Sequence, residues 1–476
     1  MNATMPTKRN LTSTDAHAQV DGPNSHLSLI EEALWLIAQR LPSTLSFNVA
    51  IAVRFEGELD VSALTTSLAA IIERQEMLRT AFPVGCSGPA RVITPFVSLD
   101  LKVRDLQHVP SDRRAGELEH LISATMNGAF DLAKAPLLRA ELIKVHQLNH
   151  VLVASMPHII SDFWSVGLFM KELEALYSAH VTGVAPCLPK LTLQYADYVA
   201  WQTALLKSPL STQAVTYWRN QLIGLTEPLT LARGTAGKPV LFVRADTLAF
   251  ALSQEMVSAL RTLSRNHGAT LFMTVLAAFA LLLSTVSGQT DVLIGVPISA
   301  RRRSDLEGII GAFVSYLPLR LDLSGSPTFE QLLSQTRRIC QDAYSHPDVP
   351  YQTLMDSLCV EGVRPSIVPR VMLNMVAAPV SFNDLGFVGL KTTVLPFIQD
   401  MPISAELAVT IIPSDGELLF RLDYNGELFS AGQITGLFEH FVRLVSEVLT
   451  KRERTAAGRS LSRDDTNISD GRSSIA

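Results

Sequence analysis

A histidine and an aspartate four residues apart, His158 and Asp162, stand where an apolar β-branched run gives way to a helical pattern. Val151-Leu152-Val153-Ala154 reads as the end of a buried strand. Val166, Phe169, Met170, Leu173, Leu176 and Tyr177 recur at spacings of three and four and predict a helix. Pro157 drives Met156 into an extended conformation, and Asp162 is an acceptable N-cap, so a short turn presents His158 between the two elements. An imidazole there suits acyl transfer, because its pKa near working pH lets it orient an attacking amine or hydroxyl or take its proton. The Asp162 carboxylate is better suited to hold the turn through an arginine than to touch substrate. One histidine among 11 is ordinarily structural, so the rest of the chain must support the assignment.

The chain has 476 residues, which implies two domains of roughly 200 residues each. With 47% apolar and 18% charged residues the composition is globular, and a net charge of -5 argues against nucleic acid as a main partner. Arg301-Arg302-Arg303 is the one compact basic cluster and reads as a solvated loop. Cys86, Cys187, Cys340 and Cys359 are scattered without a C-x-x-C pair, which fits reduced thiols in a cytoplasmic protein and carries no zinc signature. Met1 to Ser25 lacks the apolar core of a signal peptide. Leu271 to Leu283, at 13 residues, is short for a membrane span and suits a buried helix.

Along the chain, residues 1–25 read as a flexible leader. Ser28 caps a helix through Ile37, Phe47 to Phe55 alternates as a strand, and Asp60 caps an amphipathic helix running into Arg74 to Phe82. Of Arg74 and Arg79, one could be the buried partner of Asp162. Strands over 91–105, a helix over 113–127 and a strand pair ending at the His158 turn complete an α/β layer, residues 26–182. Gly183 to Pro189 looks like a hinge. The aromatic helix at Tyr195 to Trp201 is expected to anchor on the inter-domain surface. Residues 190–450 then repeat the scheme, with strands near 240–252, 291–297, 371–377, 406–412 and 417–424 and helices from Ser253, over 269–286, 328–344 and 430–450. Residues 451–476 read as an unfolded tail. Two such layers meeting at a cleft are a natural place for a ligand site.

These segments together resemble the condensation domains of nonribosomal peptide synthetases over roughly residues 27–450. Pro157 to Phe163 resembles the His-His-x-x-x-Asp-Gly signature, and Arg74 to Phe82 the Arg-His-x-x-Leu-Arg-Thr-x-Phe motif. Tyr195 to Trp201, Gly311 to Arg320, His346 to Tyr351, Phe130 to Arg139 and Leu422 to Asn425 match further motifs in the family's order. The resemblance implies two chloramphenicol-acetyltransferase-like subdomains arranged as a V-shaped pseudo-dimer with a central tunnel. It implies that His158 is catalytic and that Asp162 is structural, paired with an arginine of the Arg74/Arg79 motif, Arg79 being favoured. Pro157, Ser161, Phe163, Trp164, Ser315 and Tyr316 are the candidates to line the tunnel.

Three departures stand out: Pro157 replaces the first signature histidine, Phe163 the glycine, and Ser315 an asparagine of the later motif. A phenyl ring where the family has glycine either narrows the tunnel beside His158 or turns into the core. The resemblance implies acyl or peptidyl carrier proteins as partners. These would deliver phosphopantetheine-bound thioesters in nonribosomal peptide or hybrid polyketide biosynthesis to an amine or alcohol acceptor, with no cofactor bound by the chain itself. The chain carries no adenylation or carrier segment and is expected to be a free-standing monomer. Two alternatives are a scaffold that recruits carriers or tailoring enzymes without turnover, and an acyltransferase that uses coenzyme A thioesters directly.

Overall fold

The computed structural model describes residues 26–41, 45–86, 88–225, 229, 231–232, 242–346, 369–376, 385–395, 402–414 and 416–450. The leader, the tail and the motif beyond His346 lie outside the described residues. In chain order the first elements are α1 (Leu29–Arg40), β1 (Asn48–Glu56), α2 (Val61–Arg74), β2 (Lys102–Asp105), α3 (Ser111–Asn127), β3 (Arg139–His146), β4 (Asn149–Pro157) and α4 (Phe163–Thr182). Next come α5 (Tyr195–Leu206), α6 (Pro209–Leu222), β5 (Val243–Leu252), α7 (Gln254–Asn266), α8 (Leu271–Ser287), β6 (Asp291–Ser299), β7 (Val314–Asp322) and α9 (Phe329–Ser345). The last are β8 (Val371–Met375), β9 (Lys391–Val394), β10 (Pro402–Ile403), β11 (Leu407–Ser414), β12 (Glu417–Asn425) and α10 (Ala431–Thr450).

The helix starts follow their caps. Ser28 closes a reciprocal capping box with Glu31, Asp60 accepts from the Ala63 amide at 2.9 Å, and Ser253 caps α7. Gly57, at φ +134°, makes the turn into α2, where a Cβ would sit 2.7 Å from the Gly389 carbonyl oxygen.

The first lobe is a five-stranded sheet in the order β9-β1-β4-β3-β2. Strand β4 lies at its centre, antiparallel to β1 from Asn48↔Pro157 to Glu56↔Asn149, and is buried from His150 to Pro157. That double-sided burial explains why its sequence is an unbroken apolar run rather than an alternation. Helices α2 and α4 cover one face with the larger of this lobe's two core clusters, and α3 covers the other. The second lobe is a seven-stranded sheet in the order β7-β6-β8-β11-β12-β5-β10. Its core helix, α8, is buried at every position from Met273 to Leu283, with α7, α9 and α10 packed around it. Among the described residues no single helix is long and apolar enough to cross a membrane.

The division at 183–189 needs a correction. Residues from the second half of the chain complete the first lobe: β9 adds an edge strand to β1, with Val394 opposite Val53. Leu306, Ile309, Ile310, Ala312, Phe313, Leu385 and Phe387 sit in the first lobe's core. Local composition could not reveal this, because pairing between strands so distant in the chain leaves no mark in either segment's own pattern.

A histidine turn locked across the two halves

The backbone delivers His158 as the first residue of a single 3₁₀ turn, His158–Ile160, directly after β4. Its amide extends the ladder to β1 by donating to the Phe47 carbonyl at 2.8 Å. Its Nδ1 lies 2.6 Å from the Ser161 carbonyl oxygen. A carbonyl only accepts, so Nδ1 carries the proton and Nε2 carries the lone pair. The ring rests 5.0 Å from the Phe47 ring, and the side chain stays half-buried. The turn and the Nδ1 contact together fix the orientation of the imidazole.

Asp162 is the N-cap of α4 and is only 4% exposed. One carboxylate oxygen accepts from the Ser165 amide at 2.8 Å. The other accepts from the Phe313 amide at 3.1 Å and from Arg301 Nη1. Burial alone would raise this carboxyl, but the Arg301 guanidinium and the hydrogen bonds outweigh it and hold it below the ordinary carboxylate range. Arg301 in turn donates through Nη2 to Ser165 Oγ at 2.8 Å and to the Ile309 and Gly311 carbonyls, and its guanidinium lies 4.2 Å from the Phe313 ring. Ser165 Oγ both donates to the Gly311 carbonyl (2.9 Å) and accepts from the Gly311 amide (3.0 Å).

The pairing of Asp162 with Arg79 is thus overturned: the partner is Arg301, whose side chain is 2% exposed in the cluster read as a solvated loop. Arg79 instead donates to the Ile72 and Thr94 carbonyls, tying the end of α2 to the strand segment at Thr94. Arg74 pairs with Glu172 at 2.9 Å, some way along α4 from its capped end. Both guanidinium groups are thereby committed away from the His158 turn. Sequence reasoning missed Arg301 and Ser165. For Ser165 a signal existed, since it stands three residues after an N-cap; for Arg301 no local signal did.

The remaining candidates separate by exposure. Pro157 pairs with Asn48 and is buried, as is Ser161, so both shape the turn from within. Phe163 is the first residue of α4 and is 43% exposed, which excludes a ring turned into the core. Trp164 donates from its indole to the Glu307 carbonyl at 2.9 Å. Ser315 and Tyr316 lie on β7 opposite Ile298 and Pro297. Tyr316 is 42% exposed, yet desolvation by surrounding protein raises its phenol from the usual value of 10. The aromatic helix is anchored, but in the first lobe's core rather than on an inter-domain surface, because the segment at Ala312 and Phe313 belongs to that core. Tyr195 donates to the Ala312 carbonyl at 2.7 Å and packs edge-on against Phe313. Gly311 permits this contact, for a Cβ there would fall 2.1 Å from the Tyr195 ring.

A doubled mixed α/β fold with a pinned His-x-x-x-Asp turn defines the class by architecture: the chloramphenicol-acetyltransferase-like fold of condensation and X-domains. Within it, the condensation domain profile matches residues 24–467, and the chain belongs to that family. A linear gramicidin synthase of Brevibacillus parabrevis is 35% identical over 425 residues, covering 89% of this chain and 8% of that protein. The chain therefore spans under a tenth of that relative's length. Among solved structures, the X-domain from teicoplanin biosynthesis superposes with a TM-score of 0.80 at 27% identity, over 92% of this chain and 98% of that one. The same X-domain in complex with OxyB gives 0.79 at 26% identity, over 96% and 98%. The starter condensation domain of rhizomide synthetase RzmA, in complex with C8-CoA and Leu-SNAC, shares the fold with a TM-score of 0.79 at 20% identity, over 92% and 96%. Condensation domains are in general acyltransferases of nonribosomal peptide synthetases.

Proposed function

We propose that this chain joins a carrier-bound acyl or peptidyl thioester to an amine or hydroxyl, with His158 as the base. The observation that carries the reading is the Nδ1 contact to the Ser161 carbonyl, which leaves the Nε2 lone pair for an incoming nucleophile. As the new C–N or C–O bond forms at the thioester carbonyl, the nucleophile's proton passes to Nε2, the C–S bond breaks, and the phosphopantetheine thiolate leaves with a proton. The phosphopantetheine belongs to the carrier partner. Asp162, Arg301 and Ser165 are positioning residues that clamp the turn and the start of α4.

The test is single-turnover transfer from an acyl carrier to an amine. His158→Ala should lose roughly 10²–10⁴-fold with an unchanged circular dichroism spectrum. Equal rates for the two proteins would remove His158 from the chemistry. The likeness to an X-domain solved with OxyB favours a second reading, a scaffold that recruits carriers or tailoring enzymes. Carrier binding without turnover of any nucleophile would select it, while inhibition by free acyl-coenzyme A would instead show direct use of that donor.

A further inference from the structure

A cleft of about 550 Å³, lined by none of the residues of the His158 turn, lies between α4, the segment carrying Leu188 and Leu191, and the loop at Gly308. Its α4 wall is formed one helical turn after another, so that Lys171 stands roughly 13 Å along the axis from Asp162. The volume is within the range of small-molecule sites.

Two carboxylates and two cations line it. Glu172 is 3% exposed: its Oε1 accepts from Arg74 Nε (2.9 Å) and Gln75 Nε2 (3.0 Å), while its Oε2 is buried with no partner. That oxygen is closed to solvent, so the negative charge a ligand in the cleft can reach is that of half-buried Glu174. Arg74 uses Nε on Glu172 and Nη2 on the Pro189 carbonyl, and its Nη1 meets no acceptor among the described residues. Lys171 is exposed, Glu174 is half-buried, and neither forms an ion pair with any described residue. Leu168, Leu188 and Leu191 supply an apolar wall.

We propose that this cleft binds a small zwitterion, an amino acid or short peptide with free termini and an apolar side chain. Its ammonium meets Glu174, and its carboxylate meets Lys171 and the open nitrogen of Arg74. The cleft is joined to the clamp around Asp162 by Gln75, which donates to Glu172 and to the Gly308 carbonyl (3.1 Å) and accepts from the Ile310 amide (3.0 Å).

Isothermal titration of the full chain with leucine and leucyl-leucine should give saturable binding. N-acetyl-leucine and leucinamide, each missing one charge, should bind roughly tenfold or more weakly, the scale of one charge-assisted hydrogen bond. Cys187 lines the cleft and is exposed, so saturating ligand should slow its alkylation, read by peptide mass, and leave exposed Cys86 unaffected. The Lys171→Ala/Glu174→Ala variant should lose both effects while His158-dependent turnover persists. The proposal is overturned if no ligand gives heat or Cys187 protection, if the blocked analogues bind as well as the free ones, or if binding survives in the variant.

Discussion

Two buried arginine–carboxylate pairs hold the first lobe, and they behave oppositely. At the histidine turn, Asp162 and Arg301 satisfy nearly everything around them: both carboxylate oxygens are bonded, and of the guanidinium only Nε lacks a partner. Under α1, Glu31 accepts from the Ser28 amide and from Arg91, but Glu31 Oε1 and Arg91 Nε and Nη1 are buried without partners. Burial therefore dominates at Glu31 and raises its carboxyl above 4.5, in spite of Arg91 beside it. At Asp162 burial is outweighed by the Arg301 charge together with the hydrogen bonds from Arg301 and Ser165. The charge pairing is the same in both; the balance between burial and the partners sets the sign.

The largest test of this contrast is Arg301→Met. It removes the guanidinium that holds the Asp162 carboxyl down and the donor to Ser165 Oγ, and should cost about 3–5 kcal/mol in urea unfolding and most of the transfer activity. Arg91→Met should cost less, about 1–3 kcal/mol, because Glu31 can take up a proton when its partner goes. An equal or reversed ranking would break the comparison. The pH dependence sharpens it. Asp162 has a depressed folded pKa, so its contribution is present above the ordinary carboxylate value of 3.8 and is lost as pH falls through the folded value. The Tm deficit of Asp162→Asn should therefore shrink on acidification. Glu31 has a raised folded pKa, so its contribution is full below 4.5 and is lost as pH rises through the folded value. Glu31→Gln should accordingly gain on wild type as pH climbs, and parallel pH profiles for the two variants would refute the assignment. The smallest effect is expected from Tyr195→Phe. Its hydroxyl lies 3.0 Å from Ser28 Oγ and donates to the Ala312 carbonyl, so it spans the two regions, and its loss should cost about 1 kcal/mol.

Much of the histidine turn was legible because its determinants are local. The end of β4, the proline before His158, the cap at Asp162 and the periodicity of α4 all lie within one strand and the helix that follows it. The aromatic helix was legible for the same reason, as apolar rings on a helix need an interface. Arg301 was not legible. Three consecutive arginines look solvated, and the pair that buries the first of them spans 139 residues of chain. The same holds for β9, an edge strand whose partner, β1, belongs to the opposite end of the sequence.

Taken alone, the sequence determined the element types, the caps, the histidine turn and the family, since short-range sterics and hydrophobic periodicity act between near neighbours. Only the tertiary structure decided which arginine clamps Asp162, which segments complete the first lobe, and that Arg74 and Glu172 pair at the wall of a cleft. Those outcomes depend on how two sheets pack, and burial changes the worth of a charge by more than any local pattern can encode.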